Sequence, residues 1–137
     1  VDPSNYDTVF DTNVRSIWNA VRHQIPALKA RGGGVIINTS SILGLRGVAN
    51  FSTYVASKFA VEGLTRSLAL ELAGDNIRVN TVAPGPILTP MLERASGGNT
   101  DAFNPIIPMN RPGTAEEIAD AVVFLASDAS SYITGHA

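Results

Sequence analysis

Gly34-Val35-Ile36-Ile37-Asn38-Thr39-Ser40-Ser41 decides the fold. Residues 35–40 are short, apolar and β-branched, as a strand buried on both faces of a parallel sheet reads. Upstream, Tyr6, Val9, Phe10, Val14, Ile17, Val21, Ile25 and Leu28 recur at helical spacing and predict one long helix over residues 3–30. Asp2-Pro3 opens it, because Asp caps free amides and Pro is tolerated at the first helical position. Pro26 bends or tightens its last turn. Arg31-Gly32-Gly33-Gly34 ends it, with glycine free to take the left-handed C-cap conformation. Downstream, residues 42–52 make a Gly-containing loop. A second helix is expected from Ser52 to Ala73, stopped by Gly74-Asp75-Asn76. Ile77-Arg78-Val79-Asn80-Thr81-Val82-Ala83 is the second strand. It ends at Pro84-Gly85-Pro86, which cannot continue a central strand.

Residues 86–113 hold five prolines and Gly97-Gly98. They predict a long irregular excursion with a short helix near Met91–Ala95, and loops of this length are commonly functional lids. Thr114-Ala115-Glu116-Glu117 is a capping box that starts a helix striped by Ile118, Val122 and Leu125. Tyr132–Ala137 reads as the start of another element that the chain does not supply. Helix, strand, helix, strand, helix is the α/β order, with helices crossing over between parallel strands. Two parallel strands alone leave open edges and little core, and the chain starts on Val1 instead of Met. Residues 1–137 are therefore expected to be one partial domain.

The bulk numbers exclude several classes. The 137 residues are 45% hydrophobic and 16% charged, with a formal net charge of −2. This is a globular composition. The absence of a basic stripe argues against nucleic acid as a partner. With no cysteine, and His23 and His136 far apart, neither a disulfide framework nor a metal site is expected. No apolar run reaches the roughly 20 residues a membrane span requires. No signal peptide opens the chain, so a cytoplasmic location is expected.

Tyr54 and Lys58 stand one helical turn apart. A lysine ammonium beside a phenol favours the phenolate, which makes tyrosine usable as an acid or base near neutral pH. The alternative is an aromatic ring packed on an aliphatic lysine stem. Ser41 ends the first strand, and open parallel sheets bind ligands outside the carboxyl ends of their strands. Its hydroxyl either holds a substrate oxygen or simply caps a turn. Asn13 interrupts the apolar stripe of the first helix. A buried amide must be hydrogen-bonded, so it either holds a water, opens the backbone ladder locally, or is a satisfied structural asparagine. Pro84-Gly85 closes the second strand at the same edge, where glycine lets a flat ligand approach the backbone. Thr89, a little further on, is placed to hydrogen-bond an amide or phosphate, unless this is a plain strand-to-loop turn.

Together, Asn13, Ser41, Tyr54, Lys58 and Pro84-Gly85 resemble the short-chain dehydrogenase/reductase superfamily. The Tyr-x-x-x-Lys spacing fits, as does a serine thirteen residues before the tyrosine. Residues 34–41, 77–85 and 111–119 are also similar in kind. The resemblance implies a Rossmann-like doubly wound parallel sheet, here partial, lacking the N-terminal half and the last strand. The family's Thr-Gly-x-x-x-Gly-x-Gly turn is absent, and Gly32-Gly33-Gly34 does not replace it because it precedes a strand. The implied activity is hydride transfer between NAD or NADP and a small-molecule carbonyl or alcohol. Tyr54 would be the general acid/base and Lys58 would support it and hold the cofactor ribose. Ser41 would hold the substrate oxygen, and Asn13 a water linking Lys58 to solvent. Pro84, Gly85, Ile87 and Thr89 would line the nicotinamide side, and residues 88–112 would close over the substrate. The two long helices, with small Ala56, Ala60 and Gly63, would pair in a homodimer or homotetramer. The 137 residues by themselves are expected to be inactive. A non-catalytic binding or oligomerisation module is the competing expectation.

Overall fold

Two parallel strands, β1 (Gly34–Thr39) and β2 (Ile77–Val82), pair from Gly34↔Ile77 to Thr39↔Val82. The computed structural model describes residues 5–137, so the expected Asp2-Pro3 opening lies outside the described residues. The helical stretch before β1 is continuous, but its winding is not uniform. It comprises α1 (Tyr6–Phe10), a π-helical turn (Asp11–Arg15) and α2 (Ser16–Ala30). Asn13 sits in the π turn, where the backbone ladder is opened. The helix passes through Pro26 and ends where Gly33 N–H donates to the Leu28 carbonyl and Gly32 N–H to that of Lys29. Gly32 takes a φ of +87°, the left-handed C-cap.

The second long helix, α3 (Ser52–Leu72), crosses back to β2 through a short 3-10 turn and Asn76, at φ 58°. Gly33 meets this connection so closely that a Cβ would lie 2.5 Å from the Asn76 carbonyl oxygen. Here only glycine lets Gly34 N–H reach that carbonyl and start the strand pairing. One face of the pair carries the core, with Val21, Leu68, Ala69 and Leu72 against Ile36, Ile77 and Val79. On the other face lies α5 (Ala115–Ala126), opened by the expected capping box between Thr114 and Glu117. Arg78 on β2 donates to the carbonyls of Leu125, Ser127 and Ile133, tying the chain after α5 to that face. Helices on both faces of a parallel pair make a partial doubly wound α/β fold.

Two expectations need correction. β1 is not buried on both faces: Ile36 and Asn38 are buried, but Val35 and Ile37 are only half-buried. A groove of about 720 Å³ runs along its outer edge, walled by Ile17, Ala20, Gln24 and Leu28. β2 has α3 and α5 against its faces and is buried almost throughout. The excursion after β2 is less irregular than its prolines suggest. It contains the expected short helix, α4 (Pro90–Ala95), and also a 3-10 stretch, Thr100–Ile106. The expected entry to another element, at the C-terminal residues, lies against β2. Gly135 N–H donates to the Val79 carbonyl and Thr81 N–H to that of His136, so the tail lies along the outer edge of β2.

Ile77 is 1% exposed beneath α3. Ile77→Ala should lower unfolding stability by about 2–5 kcal/mol. Denaturant titration checks this, and a loss well under 1 kcal/mol would show the core to be packed differently.

Candidate functional site

Ser41, Lys58 and Pro84-Gly85 meet at the carboxyl ends of β1 and β2. The backbone brings the two ends together: Ser40 N–H donates to the Val82 carbonyl at 2.8 Å and Ile42 N–H to that of Pro84 at 3.0 Å. Ser41 and Pro84-Gly85 are thus neighbours on one rim. Gly85 is exposed, and a Cβ there would meet only Ile42 Cδ1, at 3.9 Å. The Ser41 hydroxyl accepts from Leu43 N–H at 3.1 Å, capping the 3-10 turn Ile42–Gly44. That bond uses a lone pair and leaves the hydroxyl proton free to donate. Gly44 lies against the opposite wall. A Cβ there would sit 2.5 Å from Ser40 Oγ and 3.0 Å from the Lys58 carbonyl. Hence the rim loop and α3 approach as closely as glycine permits.

Lys58 points inward from α3 and is 8% exposed. Its Nζ donates to the Thr39 carbonyl, the last of β1, at 3.0 Å. Burial pushes its pKa below the ordinary lysine value. Among the described residues no carboxylate pairs with it. A buried ammonium held by one neutral carbonyl retains donors for another acceptor. Tyr54 is half-buried one turn earlier, with its ring centroid 5.6 Å from Lys58 Nζ. The two side chains share a face, as their spacing predicts.

Asn13 comes to this site across the helix interface. Its Nδ2 donates to Ser57 Oγ at 3.0 Å, and Ser57 Oγ donates to the Tyr54 carbonyl at 2.7 Å. Both Asn13 and Lys58 border the groove beside β1. Sequence reasoning missed Ser57, which is fully buried on α3. The available signal was its place between Tyr54 and Lys58, on the inward side.

Ile87 and Thr89 lie further along the same connection. Ile87 bridges to Gly113, and the backbone bonds Leu88 N–H to the Gly113 carbonyl and Gly113 N–H to that of Pro86 join the two ends of the excursion. Thr89 caps α4 by accepting from Leu92 N–H at 3.4 Å while donating to the Ile87 carbonyl at 3.2 Å. Its hydroxyl proton is therefore engaged locally. Where the excursion returns, Arg111 grips Glu117 through both guanidinium nitrogens, at 2.9 and 2.5 Å. Glu117 also accepts from Thr114 N–H at 2.8 Å. The Arg111 hydrogen bond, followed by that of Thr114, lowers the Glu117 carboxyl from its ordinary 4.5 to about 2.

A family model described as enoyl-(acyl carrier protein) reductase matches residues 1–137. The chain belongs to the short-chain dehydrogenase/reductase superfamily. It is 45% identical over 133 residues to a 3alpha-hydroxysteroid dehydrogenase of Mediterraneibacter gnavus, covering 97% of this chain and 53% of the relative. It is 42% identical over 131 residues to the 3-oxoacyl-[acyl-carrier-protein] reductase FabG of Thermotoga maritima, covering 96% and 53%. Its fold superposes on the structure of ElxO with NADP bound at a TM-score of 0.91 and 34% identity, over 99% of this chain and 56% of that one. The chain spans about half the length of these relatives. Among the described residues no helix is long and apolar enough to cross a membrane.

The depressed Glu117 value sets a pH dependence. A group whose folded pKa is lowered contributes stability above its unfolded pKa and loses it as pH falls through the folded one. The Arg111–Glu117 contact should thus stabilise fully above about pH 4.5 and fade toward pH 2. Thermal unfolding of wild type and Glu117→Gln across pH 2–7 should show a gap that is constant at neutral pH and closes in acid. A gap independent of pH would remove the ion pair as its cause.

Proposed function

We propose that the protein carrying this chain transfers hydride between NAD or NADP and a carbonyl/alcohol pair, with Tyr54 as general acid/base. The observation that carries this is the buried Lys58 ammonium, bound to the last carbonyl of β1 and one turn from Tyr54. It sits where open parallel sheets take their ligands. Two features fit the nicotinamide end of such a cofactor. Gly85 presents open backbone at the rim, and among the described residues no carboxylate neutralises Lys58. Pro84, Gly85, Ile87 and Thr89 would form the wall for the ring, and Lys58 would hold the ribose. When bound, the cofactor supplies or accepts the hydride.

The chain's own residues handle the proton. Ser41 donates its free hydroxyl proton to the substrate oxygen and orients it. Tyr54 gives its proton to that oxygen in reduction and takes it back in oxidation. Lys58 stabilises the phenolate by its charge. Asn13, at the groove that also borders Lys58, holds a water through which the proton is replaced. Residues 88–112 exclude bulk water. Their exposed Leu88, Met91, Ile106 and Met109 suit an apolar substrate. The hydroxysteroid and oxoacyl chemistry named for the two relatives agrees with a hydroxyl/ketone pair. The outer faces of the long helices, where Trp18 is 57% exposed and Gly63 has open space, suit pairing with a second copy. A cytoplasmic location accords with this reading.

In the full-length protein, Tyr54→Phe should cut turnover at least a thousandfold, to about the level that loss of a general acid/base implies, while NADPH binding persists by fluorescence titration. Near-normal turnover in that variant would take Tyr54 out of the mechanism. Lys58→Ala should move the onset of activity to higher pH. An unchanged pH profile would refute the electrostatic support.

A further inference from the structure

We propose that Ser57 is a positioning residue that couples Asn13 to the Tyr54–Lys58 turn. The proposal rests on the oxidoreductase function set out above. The Ser57 hydroxyl has one proton and two lone pairs. It donates to the Tyr54 carbonyl at 2.7 Å and accepts from Asn13 Nδ2 at 3.0 Å. The side chain is fully buried, so water cannot replace either partner. The bond to the Tyr54 carbonyl is the common back-bond of a helical serine, of the kind Ser16, Ser96 and Ser127 also make, whereas the bond from Asn13 joins two helices. A serine that bonds back into its own helix perturbs the local winding, and here that occurs in the turn presenting Tyr54 and Lys58.

The Asn13 end is more specific. Asn13 lies in the π turn Asp11–Arg15, and π turns inside α-helices recur at functional sites. Such a turn is costly to keep without a partner that rewards it. Ser57 is that partner across the interface, 44 residues away in sequence. Its place next to Lys58 in the chain means that a shift of the first helix is felt by the buried ammonium. Deleting the hydroxyl leaves the half-buried Asn13 amide without this acceptor and frees the π turn to relax. Asn13 and Lys58, which border one groove, would then drift out of register. The residue touches neither substrate nor cofactor. It acts through the two that do the proton work.

The test uses the full-length enzyme and five proteins: wild type, Asn13→Ala, Ser57→Ala, the Asn13→Ala/Ser57→Ala double variant, and Tyr54→Phe. Ser57→Ala should lower kcat roughly tenfold, within the hundredfold that a misplacement of about 1 Å can cost. It should leave KM for the nicotinamide cofactor within about twofold. It should also shift the pH at which kcat reaches half its plateau in the direction that Asn13→Ala shifts it. The double variant should be no slower than Asn13→Ala alone, because residues acting as one unit are not additive. Losses that multiply, or a Ser57→Ala enzyme with wild-type kcat and pH profile, would overturn the proposal. If Ser57→Ala does not fold, Ser57→Cys, nearly the same size with a weaker donor and acceptor, is measured in the same cycle against the same criteria. Tyr54→Phe separates the two levels of the argument. An active Tyr54→Phe enzyme defeats the underlying function, whereas an inactive one beside a normal Ser57→Ala enzyme defeats only the role of Ser57.

Discussion

The bond from Lys58 Nζ to the Thr39 carbonyl holds the rest of the site in place. Burying an ammonium costs several kcal/mol unless its protons find acceptors. Here one backbone oxygen at the end of β1 offsets part of that cost, and burial still pushes the lysine pKa down. The side chain must reach that oxygen from the middle of α3. The helix is therefore fixed in rotation and height against the strand end, and Tyr54 is fixed with it. The close approach of Gly44 to the Lys58 carbonyl makes the same junction rigid from the loop side.

From that junction the architecture follows in two directions. Toward the sheet, β1 pairs with β2, and β2 delivers Pro84-Gly85 beside Ser41. Toward the helices, Ser57 carries the constraint to Asn13 and the π turn. The excursion after β2 is anchored separately. Its two ends are joined through Gly113, and Arg111 locks the returning end onto α5 through Glu117. Residues between these anchors, such as Met91 and Met109, keep exposed side chains. A segment with fixed ends and few buried contacts can move without disturbing the sheet.

Much of this was legible before any coordinates, for physical reasons particular to each element. Helical periodicity placed both long helices, and the i, i+4 spacing put Tyr54 and Lys58 on one face. Turn and cap chemistry placed Gly32, Thr114 and Glu117. Asn13 was noticeable because an amide on an apolar stripe needs a partner, but the pattern could not say that its partner is Ser57. A serine inside a helix carries no periodic signal, and its value depends on a contact distant in sequence. The half-open state of β1 was not legible either. An apolar run reports what a strand could bury, not what lies beside it. The tail was legible as the entry to another element, but not the β2 edge it lies on, because that depends on backbone bonds to Val79 and Thr81. Thr89 was read by what its hydroxyl could reach, whereas the helix it begins claims that hydroxyl first.

The two margins of the sheet are unequal. The tail lies along the outer margin of β2, while the outer margin of β1 faces the groove and, among the described residues, shares only the oxygen taken by Lys58. An open strand margin of this kind is a ready template for pairing with another strand.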